Sequence, residues 1–306
     1  MNPKLSVIIC THNPRHDYLN RVLTSLKEQT YSVNDWELLV IDNASDTPVE
    51  NWLDVNWHPT ARIVGELDIG LTHARIRGIN ETKAPILVFV DDDNVLPPEY
   101  LVNVLHAFDE FPLLGVAGPG VSLPEYEAPP PPEIGDLCSL LILHHYKIDH
   151  WRTDIKKHSP LPAGAAMSLR REIAVRYVDL LMNSPLRIGL GRSGNSLLGG
   201  EDLDIGMTAL SMGYHTAILI KLSITHLMPS RRLDVYYINQ LTRASAFSNV
   251  MVRYIWGMET RVNYPKIILW LKFYMSAQFT WNGFNKARLI GTWEALSQIK
   301  NKHVRN

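Results

Sequence analysis

Ile86–Val90 is a run of five apolar residues, and Asp91, Asp92 and Asp93 follow it without a break. An uninterrupted apolar run of this length suits a strand covered on both faces. Its C-terminal end then carries three carboxylates, and in open α/β sheets ligands gather just outside the carboxyl ends of the strands. Three adjacent carboxylates repel one another, so a cation is the natural compensation. Mg²⁺ takes one or two carboxylates together with substrate phosphates, and Mn²⁺ also suits carboxylate oxygen. The same residues also make good turns and caps, here for a helix starting near Pro97.

Around this run the first 120 residues alternate strand and helix patterns. Residues 5–10, 36–41, 62–64, 86–90 and 114–117 read as strands, and residues 15–29, 70–81 and 98–111 as helices. Such alternation predicts an α/β fold with a mainly parallel sheet and helices on both faces. Four prolines at 129–132 interrupt it with a stiff extended loop. Residues 163–169 then read as a strand leading into a helix at Arg171. Residues 185–200 hold five glycines and read as a loop bordering a site. Residues 201–212 read as a helix closed by Gly213, and 215–222 as a strand followed by Thr225 and His226. The expected division is a catalytic domain over 1–233, with a nucleotide-binding half (1–122) and an acceptor half (123–233), and a helical C-terminal extension over 234–306.

The apolar content of 46% is ample for a core, and a net charge of −1 supplies no basic field for nucleic acid. Two cysteines, Cys10 and Cys138, do not form a disulfide framework and fit a reducing compartment. No secretory leader and no membrane-spanning run of ~18 apolar residues is visible, so a cytoplasmic protein is expected. The extension is aromatic, with Trp256, Trp270, Phe273, Tyr274, Phe279 and Trp281. It is also basic, with Arg253, Arg261, Lys266, Lys272, Lys286 and Arg288. Aromatic and basic side chains together suit a peripheral contact at the inner face of a membrane. A helical tail packed on the catalytic domain accounts for the same pattern.

Six motifs stand in a fixed order. Ser6-Val7-Ile8-Ile9-Cys10-Thr11-His12-Asn13 comes first, then Val40-Ile41-Asp42-Asn43-Ala44-Ser45. Gly70-Leu71-Thr72-His73-Ala74-Arg75 and Phe89-Val90-Asp91-Asp92-Asp93 follow. The last two are Gly164-Ala165-Ala166-Met167-Ser168-Leu169-Arg170-Arg171 and Gly200-Glu201-Asp202-Leu203-Asp204. This order resembles family 2 nucleotide-sugar glycosyltransferases of the GT-A fold, over about residues 4 to 230. The resemblance implies inverting transfer of a sugar from a nucleoside-diphosphate donor, a UDP-sugar by preference. It implies a divalent metal, Mn²⁺ or Mg²⁺, and a saccharide or glycolipid hydroxyl acceptor, as in surface polysaccharide or glycoconjugate synthesis.

Carried over residue by residue, the resemblance puts Thr11, Asn13 and Asp42 at the nucleotide, Asp42 accepting from a base N–H. Asp42 would equally serve as a turn cap, and Ser45 as a helix cap. Ala74 and Arg75 match the family slot near the donor phosphates; Ile76 departs from it, since Asn is frequent there. Strand alternation puts Asp91 and Asp93 on one side, with Asp93 the metal ligand and Asp91 on the ribose or a metal-bound water. Asp92 then points elsewhere, toward an arginine, although it too counts among the donor-site acids. His226 matches a late histidine ligand. Asp202 matches the family's base, with Glu201 as the alternative, while Asp204 is expected outside the site. Arg231 and Arg232 are placed to close over a diphosphate. A sugar nucleotidyltransferase would want a Gly-rich loop where Thr11-His12-Asn13-Pro14 stands, and a dinucleotide dehydrogenase its G-x-G-x-x-G. A sugar-binding relative without catalysis would not need both acid groups.

Overall fold

The continuous apolar strands become the middle of a sheet because both of their faces are covered. In the computed structural model, which describes residues 3–156, 159–194, 196–258 and 283–303, β1 (Leu5–Thr11) lies between β2 (Trp36–Asn43) and β4 (Ile86–Val90), parallel to both. β3 (Arg62–Glu66) extends the sheet beside β2. Alternate residues along each strand feed two separate cores. Val7, Ile9, Val40 and Val88 meet α1 (His16–Lys27) and α3 (Tyr100–Glu110) through Leu19, Leu26, Tyr100 and Phe108. Ile8, Leu39, Leu87 and Phe89 meet α2 (Leu71–Glu81), α4 (Arg171–Met182) and α6 (Glu201–Ser211) on the other face. The period of two in a strand makes this division.

Beyond β4 the sheet is mixed. β9 (Ser168–Arg170) runs antiparallel between β4 and β6 (Leu114–Tyr126). β10 (His215–Met228) is parallel to β6, and the two-residue β5 (Asn94–Val95) closes the edge against it. The short β7 (His144–His145) and β8 (His150–Arg152) pair with β6 and β10. Two strands are longer than the sequence suggests. Gly118-Pro119-Gly120 reads as a breaker, yet β6 continues through it because β10 bulges opposite, between Leu219 and Ser223. β10 in turn carries on past Leu222 and includes His226. The strand expected over 163–169 shrinks to its last residues, and the 185–200 loop begins with one helical turn, α5 (Pro185–Ile188).

The C-terminal extension folds back onto this frame. α7 (Val235–Ile255) begins at Asp234, whose side chain accepts from the Tyr236 and Tyr237 amides. Together with α8 (Gly283–His303) it packs on Ile134, Leu141 and Leu143 at one end and on Leu190, Met207 and Leu210 at the other. At α8, a Cβ on Gly291 would stand 2.0 Å from the Arg243 carbonyl oxygen, so only glycine allows this approach. Trp270, Phe273, Tyr274, Phe279, Trp281, Arg261, Lys266 and Lys272 lie outside the described residues. No helix among the described residues is long and apolar enough to cross a membrane.

Candidate active site

A cavity of about 490 Å³ opens at the C-terminal ends of β1 and β4. Thr11 enters it from β1, Ala74 and Arg75 from α2, and Asp91, Asp92 and Asp93 from the turn after β4. Glu201 and Asp202 enter from the N-terminus of α6, and His226 from β10. Positive φ at Asn13, Ala44 and Ala166 marks backbone held in an uncommon conformation at the strand ends around it.

The three aspartates do not alternate, because the strand ends at Val90 and residues 91–93 are a turn. All three therefore line the cavity, and Asp92 accepts from the Thr11 hydroxyl, not from an arginine. Burial and then Asp93 push Asp92 up to about 7, and the same two causes raise Asp91. Asp93 differs. Burial works to raise it too, but Arg232 at 2.8 Å and His226 at 3.5 Å hold its carboxyl well below the usual range. His226 Nε2 also lies 3.2 Å from Arg232, and its buried Nδ1 has no hydrogen-bond partner among the described residues. Asp91 and Asp92 have no ion-pair partner among the described residues, so negative charge is concentrated on one wall. No group of three His, Cys, Asp or Glu among the described residues is arranged to hold a metal alone. A site completed by substrate phosphates needs no such group.

On the facing wall, Gly164 lies between Arg75 and Asp202. Its N–H donates to Asp202 Oδ2 at 3.0 Å, and a Cβ there would come within 2.6 Å of Arg75 Nη2. The Leu203 amide donates to Asp202 Oδ1 at 2.7 Å, which fixes the carboxylate at the helix N-terminus, where the dipole favours it. Arg75 and Glu201 form a loose buried pair, 3.6 Å apart, and Arg75 Nη1 and Glu201 Oε2 have no hydrogen-bond partner among the described residues. Burial pushes Glu201 up to about 7 against the pull of Arg75. Burial also raises Asp202, partly offset by Arg75 and the two amides. Burial works against the Arg75 charge, but Glu201, Asp91 and Asp202 outweigh it and raise its pKa.

Three sequence-derived candidates, Asn13, Asp42 and Arg231, stand apart from the cavity lining. Asn13 binds the loop after β2, accepting from the Asp46 amide at 2.8 Å and donating to the Asp46 carboxylate at 3.0 Å. Asp42 accepts from the Ser45 and Val49 amides, the geometry of a turn cap. Its neighbour Asn43 lines the cavity and fixes Gly70 through a 2.7 Å hydrogen bond. Asp204 is fully buried against Arg187 and Trp256, away from the cavity. Arg232 lines the cavity and Arg231 does not. Sequence reasoning missed Arg192, although an arginine flanked by Gly191 and Gly194 in a Gly-rich loop was a visible signal. It also missed Tyr237, Leu241, Ser245 and Asn249 of α7, which line the cavity only because the C-terminal helix folds back over it.

A family model described as Glycosyl transferase family 2 matches residues 6–174, more than half of the chain. The chain belongs to glycosyl transferase family 2. Within this family 2 chain, the matched segment holds Thr11, Arg75 and Asp91–Asp93, while Asp202, His226 and Arg232 lie beyond it. Validoxylamine A glucosyltransferase of Streptomyces hygroscopicus subsp. jinggangensis is 34% identical over 108 residues, 34% of this chain and 25% of that protein. The chain thus matches only a quarter of that relative's length. Among solved structures, mannosyltransferase PcManGT from Pyrobaculum calidifontis, in complex with GDP-Man and Mn²⁺, is similar at TM-score 0.56 and 17% identity. That match covers 96% of this chain and 70% of the other. S. aureus TarS in complex with UDP-GlcNAc is similar at TM-score 0.50 and 17% identity, covering 80% and 66%. These likenesses show the GT-A fold.

Proposed function

We propose that this family 2 chain is an inverting, divalent-metal-dependent glycosyltransferase, moving a sugar from a nucleoside-diphosphate donor to a hydroxyl acceptor. The observation that carries the reading is the placement of the three aspartates and Asp202 in one cavity, with Asp92, Asp93 and Asp202 each held by a hydrogen bond or an ion pair. Asp91 and Asp92 fit a hard cation, because both are buried carboxylates with raised pKa values and without an ion-pair partner among the described residues, and so are short of positive charge. Asp93, Asp91 and His226 would hold Mn²⁺ or Mg²⁺, which when bound neutralises charge developing on the leaving diphosphate.

Thr11 and the β1–β2 end, with Asp42 and Asn13 beneath it, are proposed to hold the nucleoside. UDP is the favoured nucleotide, and the GDP-Man and UDP-GlcNAc complexes of the two fold neighbours make both nucleotides worth assaying. Arg75, Arg192 and Arg232 would bind the diphosphate oxygens, for which guanidinium geometry is suited. Asp202 takes the proton from the acceptor hydroxyl as that oxygen attacks the anomeric carbon and the bond to the diphosphate breaks. Attack from the face opposite the leaving group inverts the anomeric centre. Asp202 suits a base because burial raises its proton affinity while two amides keep it aimed. The acceptor is a saccharide or glycolipid, and work at the inner face of a membrane in surface glycan synthesis is part of the same proposal. Incubation of purified protein with UDP- and GDP-sugars, with Mn²⁺ or EDTA, tests it. Metal-dependent release of nucleoside diphosphate is expected. Pyrophosphate formation from a nucleoside triphosphate and a sugar phosphate would instead favour a nucleotidyltransferase.

A further inference from the structure

α7 presents two adjacent faces to two adjacent spaces. Tyr237, Leu241, Ser245 and Asn249, spaced by four, line the catalytic cavity. Tyr236, Gln240, Arg243 and Phe247, one or two residues earlier at each turn, line a neighbouring groove of about 780 Å³. A shift of one residue is about 100° around a helix, so the groove continues the cavity around the same helix. The two spaces share Gly194, Leu197 and Tyr237 as walls, so they are contiguous there.

The groove's chemistry is that of a surface for sugars. Tyr236 is 72% exposed on a helix otherwise docked to the frame, so its ring contributes little to the core. Phe247 adds a second ring. Arg243 is fixed by Glu294 of α8, with Nε 2.8 Å from Oε2, so both groups present set directions to a ligand. Arg231 and Gln240 add further donors and an acceptor. A pyranose has apolar C–H faces that lie on aromatic rings and a rim of hydroxyls that meet planar, fixed polar groups.

We propose that this groove binds an oligosaccharide acceptor: the reacting end lies in the catalytic cavity near Asp202, and the inner units pass Tyr237 onto Tyr236 and Phe247. The proposal rests on the glycosyl-transfer reading for its orientation, but binding itself can be measured without turnover. The test is calorimetric titration of the full chain with malto-, manno- and chito-oligosaccharides of increasing length and with the matching monosaccharides. The expected result is affinity rising with length in at least one series, and falling by about tenfold in Tyr236→Ala. Tyr236 is exposed, so the variant should fold, and a thermal melt verifies this. Phe247→Ala gives a second reading from the other ring. No length dependence in any series, or equal affinity in both variants and the parent, would overturn the proposal. Length-dependent binding without nucleotide-sugar turnover would sink the transfer reading and leave the groove standing.

Discussion

Replacing Arg75 by methionine isolates the buried charge pair on the wall that faces the aspartates. Arg75 and Glu201 side chains are only 4% and 6% exposed, and Arg75 is the largest source of charge compensation for Glu201. A surface pair at this separation would be worth about 0–1 kcal/mol. Removing one partner of a buried pair leaves an unpaired charge, at a cost of about 3–5 kcal/mol. That is a large part of a typical stability of about 5–15 kcal/mol. The cost must depend on pH. Glu201 has a folded pKa of about 7, raised above its ordinary 4.5 first by burial. A raised acid gives stability that is fully present below its unfolded pKa and is lost as pH rises through the folded one. In Arg75→Met the folded pKa of Glu201 moves higher still, so the extra penalty lies above pH 7. It should shrink by up to ~1.4 kcal/mol for each unit of pH lowered toward 7, then level off. Asp91 and Asp202, also raised, act in the same direction. Urea unfolding at about pH 8.5 and about pH 6, with m-values compared, measures this. The double variant Arg75→Met/Glu201→Gln should recover much of the loss at the higher pH. A penalty equal at both pH values, or below about 1 kcal/mol at the higher one, would refute the buried-pair argument.

Two other substitutions probe separate links. Gly291→Ala pushes a methyl group against the Arg243 carbonyl, so α8 must shift from α7; a loss of about 1–3 kcal/mol in thermal or urea unfolding is expected, the scale of overpacking. Asp202→Asn keeps the shape but meets the Gly164 and Leu203 amides with only one acceptor oxygen, so about 1 kcal/mol of stability should go. Donor affinity in that variant should stay near normal while transfer falls roughly 10²-fold or more, and near-normal transfer with Glu201→Gln inactive would move the base to Glu201.

The strand frame was legible because β4 is apolar at every position and β1 and β2 hold the runs Val7–Cys10 and Leu38–Ile41, a pattern that suits doubly covered strands. The acids at their ends were legible for the same reason, since a strand that stops in charge must stop at a surface. Orientation within the acid run was not. Alternation holds only while the strand lasts, and Asp92 lies one residue into a turn. β6 hid behind Gly118-Pro119-Gly120, where a bulge in the partner strand, invisible in sequence, keeps the ladder going. The second wall of the cavity was hardest. Tyr237 and Asn249 enter it through contacts between residues distant along the chain, and no local pattern encodes such a fold-back.

Asp93 and its neighbours are proposed to bind a nucleoside diphosphate through a divalent cation. Calorimetric titration of UDP and of GDP, with Mn²⁺ and with EDTA, into the parent chain and Asp93→Asn tests it most directly. Asparagine keeps an oxygen for Arg232 but removes the charge, so the fold should survive. Mn²⁺ should strengthen diphosphate binding in the parent by at least about tenfold, and that gain should vanish in Asp93→Asn. Equal affinity with and without Mn²⁺ in the parent, or an undiminished Mn²⁺ effect in Asp93→Asn, would contradict the account.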